Sequence, residues 1–564
     1  MPSNFPPFLI FYIAALLVPF VRGRLRSLLL IAAPIISFCF LLFIDPNHRM
    51  ELELVGYTLT PIRVDKLSLL FGYLFHIAGF IALVFSLHVK DTGQHIAGLT
   101  YAGSAIGAVF AGDLISLFIF WELLAITSVF LIWARGTQRA IQSGMRYLVI
   151  QIGSGVLLLA GTVMHVQQTG SIEFSFIGME GGLSSWLILL AFGIKSAFPL
   201  MHNWLTDAYP EATPTGTIFL SALTTKVAVY VLARGFAGTE FLVYVGCTMA
   251  VFPIFFAVIE NDLRRVLAYS MINQIGFMVC GIGIGTELGI NGAVAHAFND
   301  VIFKGLLMMS MGAVLHQTGK INGSELGGLY KSMPKTTILC IIGAASISAF
   351  PLFSGFVSKA MVMSALLHEH YNVVWLLMLF SAAGVFHHAG IKIPFFAFFA
   401  HDSGIRTTEP PTNMLIAMTI AALLCIGIGC FPGVLYGLLP FDIDYHPYDG
   451  THILTQLQLL FFSAGAFVWL NLNGLYPPEL KSVNLDVEWL YRKVIPWMLG
   501  GIGVAIAFID SSIRKQFLGT ISGVTQRCKK TFNEKGVLGR TWETGSMAIW
   551  ATLILGLCLL LYYL

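Results

Sequence analysis

The feature that most constrains this 564-residue chain is the recurrence of long apolar segments along its whole length. A helix that crosses the hydrocarbon core of a bilayer needs about 20 residues, and segments of this length recur throughout. Apolar residues make up 57% of the chain and charged residues 11%, whereas a soluble domain carries roughly 25% charged residues. We therefore exclude a soluble fold and predict that the chain lies in a lipid bilayer.

The apolar segments predict an all-α polytopic membrane protein with about 14 crossings in a core and one or two C-terminal helices. The predicted spans are 6–22, 27–44, 65–89, 94–112, 114–133, 141–166, 183–202, 216–235, 240–259, 266–285, 289–315, 336–352, 360–382, 385–400, 412–438, 453–473, 490–509 and 544–563. Some of these segments are halves of broken helices, so they outnumber the crossings. No small-residue cleavage site follows the first segment, and we interpret it as a retained span.

Arginine and lysine collect in alternate loops, which predicts the orientation of the chain. The basic residues of these loops are Arg22, Arg24, Arg26, Lys90, Arg135, Arg139, Arg146, Arg264 and Arg265. The intervening loops hold acidic residues such as Asp45 and Asp442, so the N-terminus should face away from the cytoplasm. The C-terminal part departs from this pattern, because residues 481–493 and 514–540 are both basic and an apolar segment separates them. Either 490–509 lies along the membrane surface or one basic segment lies on the unexpected side.

Eight cysteines are scattered along the chain without a C-x-x-C pair. This distribution argues against iron–sulfur, zinc and disulfide sites. The sequence also lacks a P-loop, a G-x-G-x-x-G after a strand and an H-E-x-x-H motif. We expect no cofactor, no metal site, no catalytic residue and no nucleic-acid partner, and a transporter subunit without a redox centre is favoured over an enzyme.

The pentapeptide Ser-Ala-Phe-Pro-Leu occurs twice, at residues 196–200 and 348–352. Both copies place a proline within an apolar helix, with charged residues nearby. Proline removes a helix hydrogen bond, and a bilayer tolerates the resulting open turn only where protein or water covers it. Paired broken helices in corresponding halves indicate an inverted-repeat transporter, and two unrelated proline kinks are the alternative.

Several ionisable residues lie inside the predicted spans. They are Glu122, Lys195, Lys226, Asp300 and Lys304, together with His296, which shares one helix face with Asp300 and Lys304 at i, i+4 and i+8 spacing. The five carboxylate and ammonium groups would destabilise the membrane-inserted chain by on the order of 15 kcal/mol if they stayed charged and unpaired. His202, beside a proline break, and Lys392, near two histidines, are weaker candidates.

Two interpretations of these residues remain open. They could be ion pairs that hold helices together, or proton carriers whose charge changes during a transport cycle. Burial lowers the proton affinity of a lysine and a neighbouring carboxylate raises it, so movement of the carboxylate switches the lysine between its two states.

Five motifs carry a resemblance to a known family. They are residues 118–122 (FIFWE), 195–208 (KSAFPLMHNWLTDA), 262–270 (DLRRVLAYS), 296–304 (HAFNDVIFK) and 351–359 (PLFSGFVSK). Over residues 60–430 the chain resembles the antiporter-like membrane subunits shared by respiratory complex I and Mrp-type cation/proton antiporters. Among these relatives it most resembles the D-type subunit of the Mrp antiporters.

The resemblance implies a core of about 14 helices with two inverted five-helix repeats and a polar axis along the membrane midplane. It implies that Glu122 and Lys195 form the first-half pair, and that Lys226, His296, Lys304 and Lys359 continue the path. Asp300 stands where many relatives have a second histidine, and we expect it to pair with Lys304. The predicted regions are 1–93 for the N-terminal helices, 94–235 and 240–400 for the two repeats, and 401–564 for the C-terminal helices and extension.

The resemblance further implies an ion-translocating subunit of a multisubunit Mrp-type Na⁺/H⁺ antiporter in a bacterial inner membrane. Its partners would be other membrane subunits, the lipid bilayer, protons, and Na⁺ or another monovalent cation. The alternative is a proton-pumping subunit of a complex I or membrane-bound hydrogenase-type redox complex. A structural anchor without transport is a third hypothesis, which the presence of Glu122, Lys195 and Lys226 argues against.

Overall fold

The computed structural model describes residues 5–54, 56–476, 479–480 and 484–564, and it divides the chain into two units, Met1–Asn484 and Leu485–Leu564. In the first unit the helices are α1 Pro7–Leu17, α2 Gly23–Leu42, α3 Lys66–Phe85, α4 Thr92–Phe110, α5 Leu114–Trp133, α6 Gln138–Thr169, α7 Leu183–Lys195, α8 Asn203–Ala208, α9 Gly216–Ala222, α10 Thr224–Gly235, α11 Phe241–Ile259, α12 Leu263–Ile284, α13 Glu287–Thr318, α14 Pro334–Ile347, α15 Ser354–His368, α16 Asn372–Val385, α17 Thr412–Cys430, α18 Pro432–Tyr436 and α19 Gly450–Leu472. Two strands, β1 Arg49–Leu54 and β2 Tyr57–Arg63, form an antiparallel hairpin between α2 and α3. The second unit contains α20 Ile495–Phe532 and α21 Thr544–Tyr563.

Within the described residues, 13 helices are long and apolar enough to cross a membrane. The prediction of a polytopic helical membrane protein is therefore confirmed. The predicted spans 141–166 and 289–315 lie inside α6 and α13, each of which has 32 residues.

Three details of the sequence-based assignment are wrong. The predicted span 360–382 covers the end of α15 and the start of α16, because the chain turns between them at His370, which has a φ of 60°. The predicted span 385–400 continues α16 through π-helical turns as far as Phe399. The β-hairpin was not predicted, because its strands are short, β1 is mostly exposed, and neither strand shows the alternation of a half-buried strand.

The two Ser-Ala-Phe-Pro-Leu copies break their helices in the same way. Ala197 and Leu200 have φ of 63° and 70°, and the matching Ala349 and Leu352 have φ of 58° and 73°. Left-handed backbone is uncommon for residues with a Cβ atom, so identical strain at matching positions argues against two unrelated kinks. Each break ends one helix, α7 or α14, and a second helix, α8 or α15, begins a few residues later.

In the second unit, the predicted apolar segment 490–509 is part of one long helix, α20. α20 has 38 residues and includes both the apolar residues from 495 onwards and the basic residues Arg514 to Lys530. No residue of α20 or α21 is buried within the chain itself. Residues 481–483 of the predicted basic segment lie outside the described residues.

Glycines allow α11 and α12 to pack backbone against backbone. A Cβ atom on Gly276 would overlap backbone atoms of Gly246 and Ala250, and one on Gly283 would overlap the backbone of Val243. Small residues at such contacts let membrane helices approach closely, where dispersion contacts stabilise the pair. This packing holds Gln274 and its neighbours on α12 in the interior.

We expect Gly276→Ala to destabilise the chain by about 1–3 kcal/mol, because the added methyl group must push two backbones apart. The matched control is Gly305→Ala on α13, since a Cβ at Gly305 meets no atom within 4 Å. The thermal stability of the detergent-solubilised protein, followed by size-exclusion chromatography, measures both. Equal melting behaviour of the two variants would contradict the assigned helix contact.

Candidate functional site

The first-half site lies between α5 and α7. Lys195 is the last residue of α7 and is fully buried, and its ammonium group donates to the backbone carbonyl of Trp121 at 2.5 Å. The same nitrogen lies 4.1 Å from the centre of the Trp121 ring, a cation–π contact. Glu122, the next residue along α5, is half-buried and lies within electrostatic range of Lys195. In the described part of the chain, no ion pair within 4.0 Å joins these two side chains.

Gly155 on α6 makes room for the Glu122 carboxylate. A Cβ atom at Gly155 would overlap Oε1 of Glu122, and that oxygen is buried without a hydrogen-bond partner among the described residues. A buried carboxylate oxygen without a donor is unfavourable when the group is charged. The position thus favours a carboxyl group that can change its charge or its contacts.

The closest ion pair in the interior joins Lys226 to Asp300. The Lys226 Nζ and the Asp300 Oδ2 are 2.6 Å apart, and both side chains are fully buried. Lys226 lies in the first turn of α10, three residues after Leu223, which separates α9 from α10. Its ammonium group also donates to the Ser221 carbonyl at 3.2 Å. This pair links α10 to the long helix α13.

The expected pairing of Asp300 with Lys304 is wrong. The Lys304 ammonium donates instead to the Ser270 hydroxyl of α12 at 2.7 Å. The i, i+4 spacing places both residues on one face of α13, but the carboxylate turns towards Lys226 on a neighbouring helix. A contact across helices has replaced the contact along the helix.

His296 belongs to a chain of polar side chains that crosses four helices. Its Nε2 lies 3.1 Å from Oε1 of Gln274, and its Nδ1 lies 3.0 Å from the Ser358 hydroxyl. Gln274 donates to Asn273 at 2.6 Å, and Asn273 donates to the Ser381 hydroxyl at 2.7 Å. An amide oxygen can only accept, so the ring carries its proton on Nε2, and Nδ1 accepts from Ser358.

Lys359 lies beside the second broken helix. Its ammonium donates to the Ile347 carbonyl at the end of α14, at 2.8 Å, and lies 5.2 Å from the centre of the Phe277 ring. The break therefore leaves a carbonyl that the lysine satisfies, as a helix interruption in a membrane requires. Lys226, Lys304 and Lys359 all lie within electrostatic range of His296.

The two weaker candidates lie elsewhere. His202 is buried at the start of α8, with its ring 4.7 Å from that of Phe252. Lys392 is fully buried and 2.9 Å from Glu479, and it donates to the carbonyls of Val258 and Glu260 at 2.6 Å each. Lys392 therefore ties the segment after α19 to the end of α11.

Sequence reasoning missed the polar groups that connect the charged residues. Ser270, Asn273, Gln274, Ser358 and Ser381 are all fully buried and all contact one another, His296 or Lys304. The adjacent amides at 273 and 274, in an otherwise apolar span, were the signal that could have drawn attention to them.

Comparison with known proteins places this arrangement in context. The family model described as NADH:quinone oxidoreductase/Mrp antiporter, TM matches residues 111–386. The Na(+)/H(+) antiporter D-type subunit of Alkalihalophilus pseudofirmus is 31% identical over 369 residues, which cover 60% of this chain and 72% of that protein. Hydrogenase-4 component B of Escherichia coli is 24% identical over 412 residues, which cover 65% of this chain and 61% of that protein, less than two thirds of its length.

Two solved structures share the fold. A chain of the Mrp complex from Dietzia sp. has a TM-score of 0.67 and 19% identity, and the match covers 80% of this chain and 95% of that chain. A chain of the membrane-bound sulfane sulfur reductase, an archaeal respiratory membrane complex, has a TM-score of 0.72 and 21% identity, and the match covers 99% and 100%. At these identities the two structures show the fold alone.

The Lys226–Asp300 contact predicts a specific pattern of stability. Asp300→Asn and Lys226→Met should each destabilise the chain by about 3–5 kcal/mol, because each leaves one buried charge without its partner. The double variant should recover most of that loss, since it removes both charges. Thermal melts of the four forms measure the coupling, and additive losses in the double variant would contradict the ion pair.

Proposed function

This chain belongs to the NADH:quinone oxidoreductase/Mrp antiporter family, and on that premise we propose that it translocates protons and a cation as one subunit of a multisubunit Na⁺/H⁺ antiporter. As a family member with 13 candidate spans, it is a cation/proton antiporter-like subunit of a bacterial cell membrane. The single observation that carries the finer proposal is the series of buried ionisable groups between the two broken helices. Ionisable residues at membrane depth mark ion pathways unless they are merely paired.

The relay that we propose begins at Glu122 and Lys195. Lys195 gains a proton when the Glu122 carboxylate is near and charged, and it releases the proton when that carboxylate is neutral or displaced. The buried Glu122 oxygen against Gly155 supports this role, because the carboxylate is not fixed by a donor among the described residues.

The relay continues through the centre of the chain to Lys359. In this relay a proton passes between Lys226 and Asp300 across their 2.6 Å contact. Lys304 and His296 are the next groups in the relay, and both lie on the same helix as Asp300. Opening of the Lys226–Asp300 pair would allow Asp300 to turn towards Lys304, which lies four residues further along α13. His296 then connects this helix to Ser358, the neighbour of Lys359 on α15.

Partner membrane subunits are part of the proposal. In the first unit, apolar side chains on one face of α6, such as Val149, Val156 and Val163, are exposed. Exposed apolar surface of this extent is covered by lipid or by protein, and the named relatives are subunits of larger assemblies. Protons and Na⁺ are the ions that we propose for exchange.

A second candidate function is a proton-pumping subunit of a redox complex. The observation that favours it is the sequence similarity to hydrogenase-4 component B, which extends over 65% of this chain. Purification of the native complex and identification of its subunits by mass spectrometry separates the two. Small antiporter subunits support the first function, and flavin or iron–sulfur subunits support the second.

We expect Glu122→Gln and Lys195→Ala each to abolish proton-coupled transport while the complex still assembles. The fold depends mainly on apolar helix packing, so loss of this pair leaves assembly intact. Glu122→Asp should keep part of the activity, because the charge remains but lies one methylene further from Lys195. Cation-driven proton movement in inverted membrane vesicles, with a pH-sensitive dye, measures the rate.

Glu180→Gln and Lys320→Ala are matched controls, because both residues are exposed. Assembly is checked in the same membranes by size-exclusion chromatography of the solubilised complex. Wild-type exchange by an assembled Glu122→Gln complex would show that Glu122 has only a structural role.

The isolated chain should be inactive. If partner subunits complete the ion path, the purified chain reconstituted alone should show no cation-dependent pH change in proteoliposomes, whereas the intact complex should. Robust exchange by the chain alone would refute the requirement for partners.

A further inference from the structure

Two cavities lie beside Lys359 at the end of the bundle that carries the β-hairpin. We call this end the hairpin end, and the loop 437–449 also lies there. Asp442 in this loop forms an ion pair of 3.0 Å with Lys66 at the start of α3. The inner cavity, of about 150 Å³, is lined by apolar side chains and by Lys359, Ser364, Thr451, His452, Thr455 and Gln456. The outer cavity, of about 890 Å³, is open to solvent and is lined by residues 285–288, 443–446 and 449.

His452 separates the two cavities. It lines both of them, as do Ser364 and Leu367 on α15. Its Nε2 lies 3.1 Å from the Ser364 hydroxyl, and its Nδ1 lies 2.8 Å from Oδ2 of Asp449. One ring nitrogen thus faces α15, and the other faces the carboxylate at the mouth of the outer cavity.

The imidazole is not needed to start α19. Asp449 caps this helix by accepting the backbone N–H of His452 at 2.7 Å, which any residue at position 452 could supply. This backbone contact is also the main reason why the pKa of Asp449 lies below its ordinary value. The side chain of His452 is therefore available for another role.

The groups around His452 suit a proton better than a metal cation. The inner cavity carries one cationic group, Lys359, and its other walls include Phe277, Phe356 and Trp375. Its oxygen-bearing side chains, Ser364, Thr451, Thr455 and Gln456, are neutral, and no carboxylate is among the described residues that line it, whereas the ammonium group of Lys359 repels a metal cation. The volume is enough for about five waters, at about 30 Å³ each.

The charged and titratable groups that face His452 come from every neighbouring segment. Asp449 and Tyr445 precede His452 closely in the chain, and the Tyr445 ring lies 6.3 Å from the imidazole. Lys359 faces the imidazole across the inner cavity. The outer cavity adds Glu287, His368, Asp444 and His446.

We propose that His452 passes protons between the outer cavity and Lys359, as the gate of the second half on the hairpin end. This proposal rests on the proposed transport function. A proton from solvent binds Nδ1 beside Asp449, and the Nε2 proton leaves through the Ser364 hydroxyl or cavity water to the neutral amine of Lys359. An N–H bond forms at Nδ1 with a proton from water, and the N–H bond at Nε2 breaks as one forms on Lys359. A single proton therefore moves inward, and the ring ends neutral with its proton on Nδ1. The reset uses protons of the outer side only: Asp449 accepts the Nδ1 proton and releases it to water of the outer cavity, and Nε2 takes a proton from the same water through Ser364, which lines both cavities.

The first test measures exchange by the intact complex in membrane vesicles. His452→Gln keeps the size and polarity of the residue but cannot carry a proton, so the rate should fall by about tenfold or more. The matched control is His401→Gln, because His401 is exposed and lines neither cavity. Asp449→Asn should also lower the rate, because it removes the group that accepts the Nδ1 proton when the ring resets.

The second test measures access without measuring transport. Thr455→Cys places a thiol on the wall of the inner cavity. A small cationic thiol reagent added at the hairpin end should modify it, as detected by mass spectrometry of the peptide, and Ser310→Cys on the buried face of α13 should stay unmodified. His452→Trp should slow modification of Thr455→Cys by blocking the passage.

The outcomes distinguish the two proposals. Wild-type exchange in His452→Gln, with exchange abolished by Glu122→Gln and Lys359→Ala, would overturn the gate and leave the transport function intact. Unaffected exchange in all three would overturn the transport relay itself. Failure of the reagent to reach Thr455→Cys would refute the passage whatever the transport results.

Discussion

The ion pair between Lys226 and Asp300 is the contact on which the interior depends. Both groups are fully buried and 2.6 Å apart, and loss of either partner leaves an uncompensated charge at membrane depth. Lys226 lies in the first predicted repeat and Asp300 in the second, so the pair also connects the two halves. Because Asp300 is engaged there, Lys304 donates to a neutral acceptor, the Ser270 hydroxyl. The other polar contacts between α12 and α13 join Lys304 to Ser270 and His296 to Gln274.

The broken helices explain how lysines reside in the interior without a carboxylate at contact distance. A helix that ends inside a membrane leaves carbonyl groups without donors, and these groups must be satisfied locally. Lys359 donates to the Ile347 carbonyl at one break, and Lys195, at the other break, donates to the Trp121 carbonyl of the neighbouring helix. Each lysine therefore has a neutral acceptor that stabilises its charged form weakly.

The sequence was sufficient to predict the membrane class, most helices and the buried charged residues, because apolar length and isolated charges are properties of single segments. It was not sufficient to predict the partner of Asp300, since helical periodicity describes neighbours on one helix and the actual partner lies on another. The turn at His370 was missed because the apolar residues on both sides of the short polar stretch 368–372 were joined into one span. The π-helical end of α16 was missed because apolar length does not distinguish π-helical from α-helical turns. The hydrogen-bonded chain from Ser358 to Ser381 requires four helices to pack in register, which no local pattern specifies. The boundaries of the two repeats stay a prediction.

The two halves use the same pentapeptide but differ in how their breaks meet the surface. After the first break, Arg146 holds Asp207 through contacts of 2.7 and 3.0 Å, and Arg139 holds Glu211 at 2.7 Å, so fixed ion pairs cover that end. After the second break, Lys359 faces a cavity whose neighbour opens to solvent at the hairpin end. A symmetrical molecule with both breaks open would let protons leak down their gradient, and one with both closed would not transport. In the proposed cycle, the difference between the two ends makes transfer directional, because a proton can wait on one lysine while the opposite end is shut.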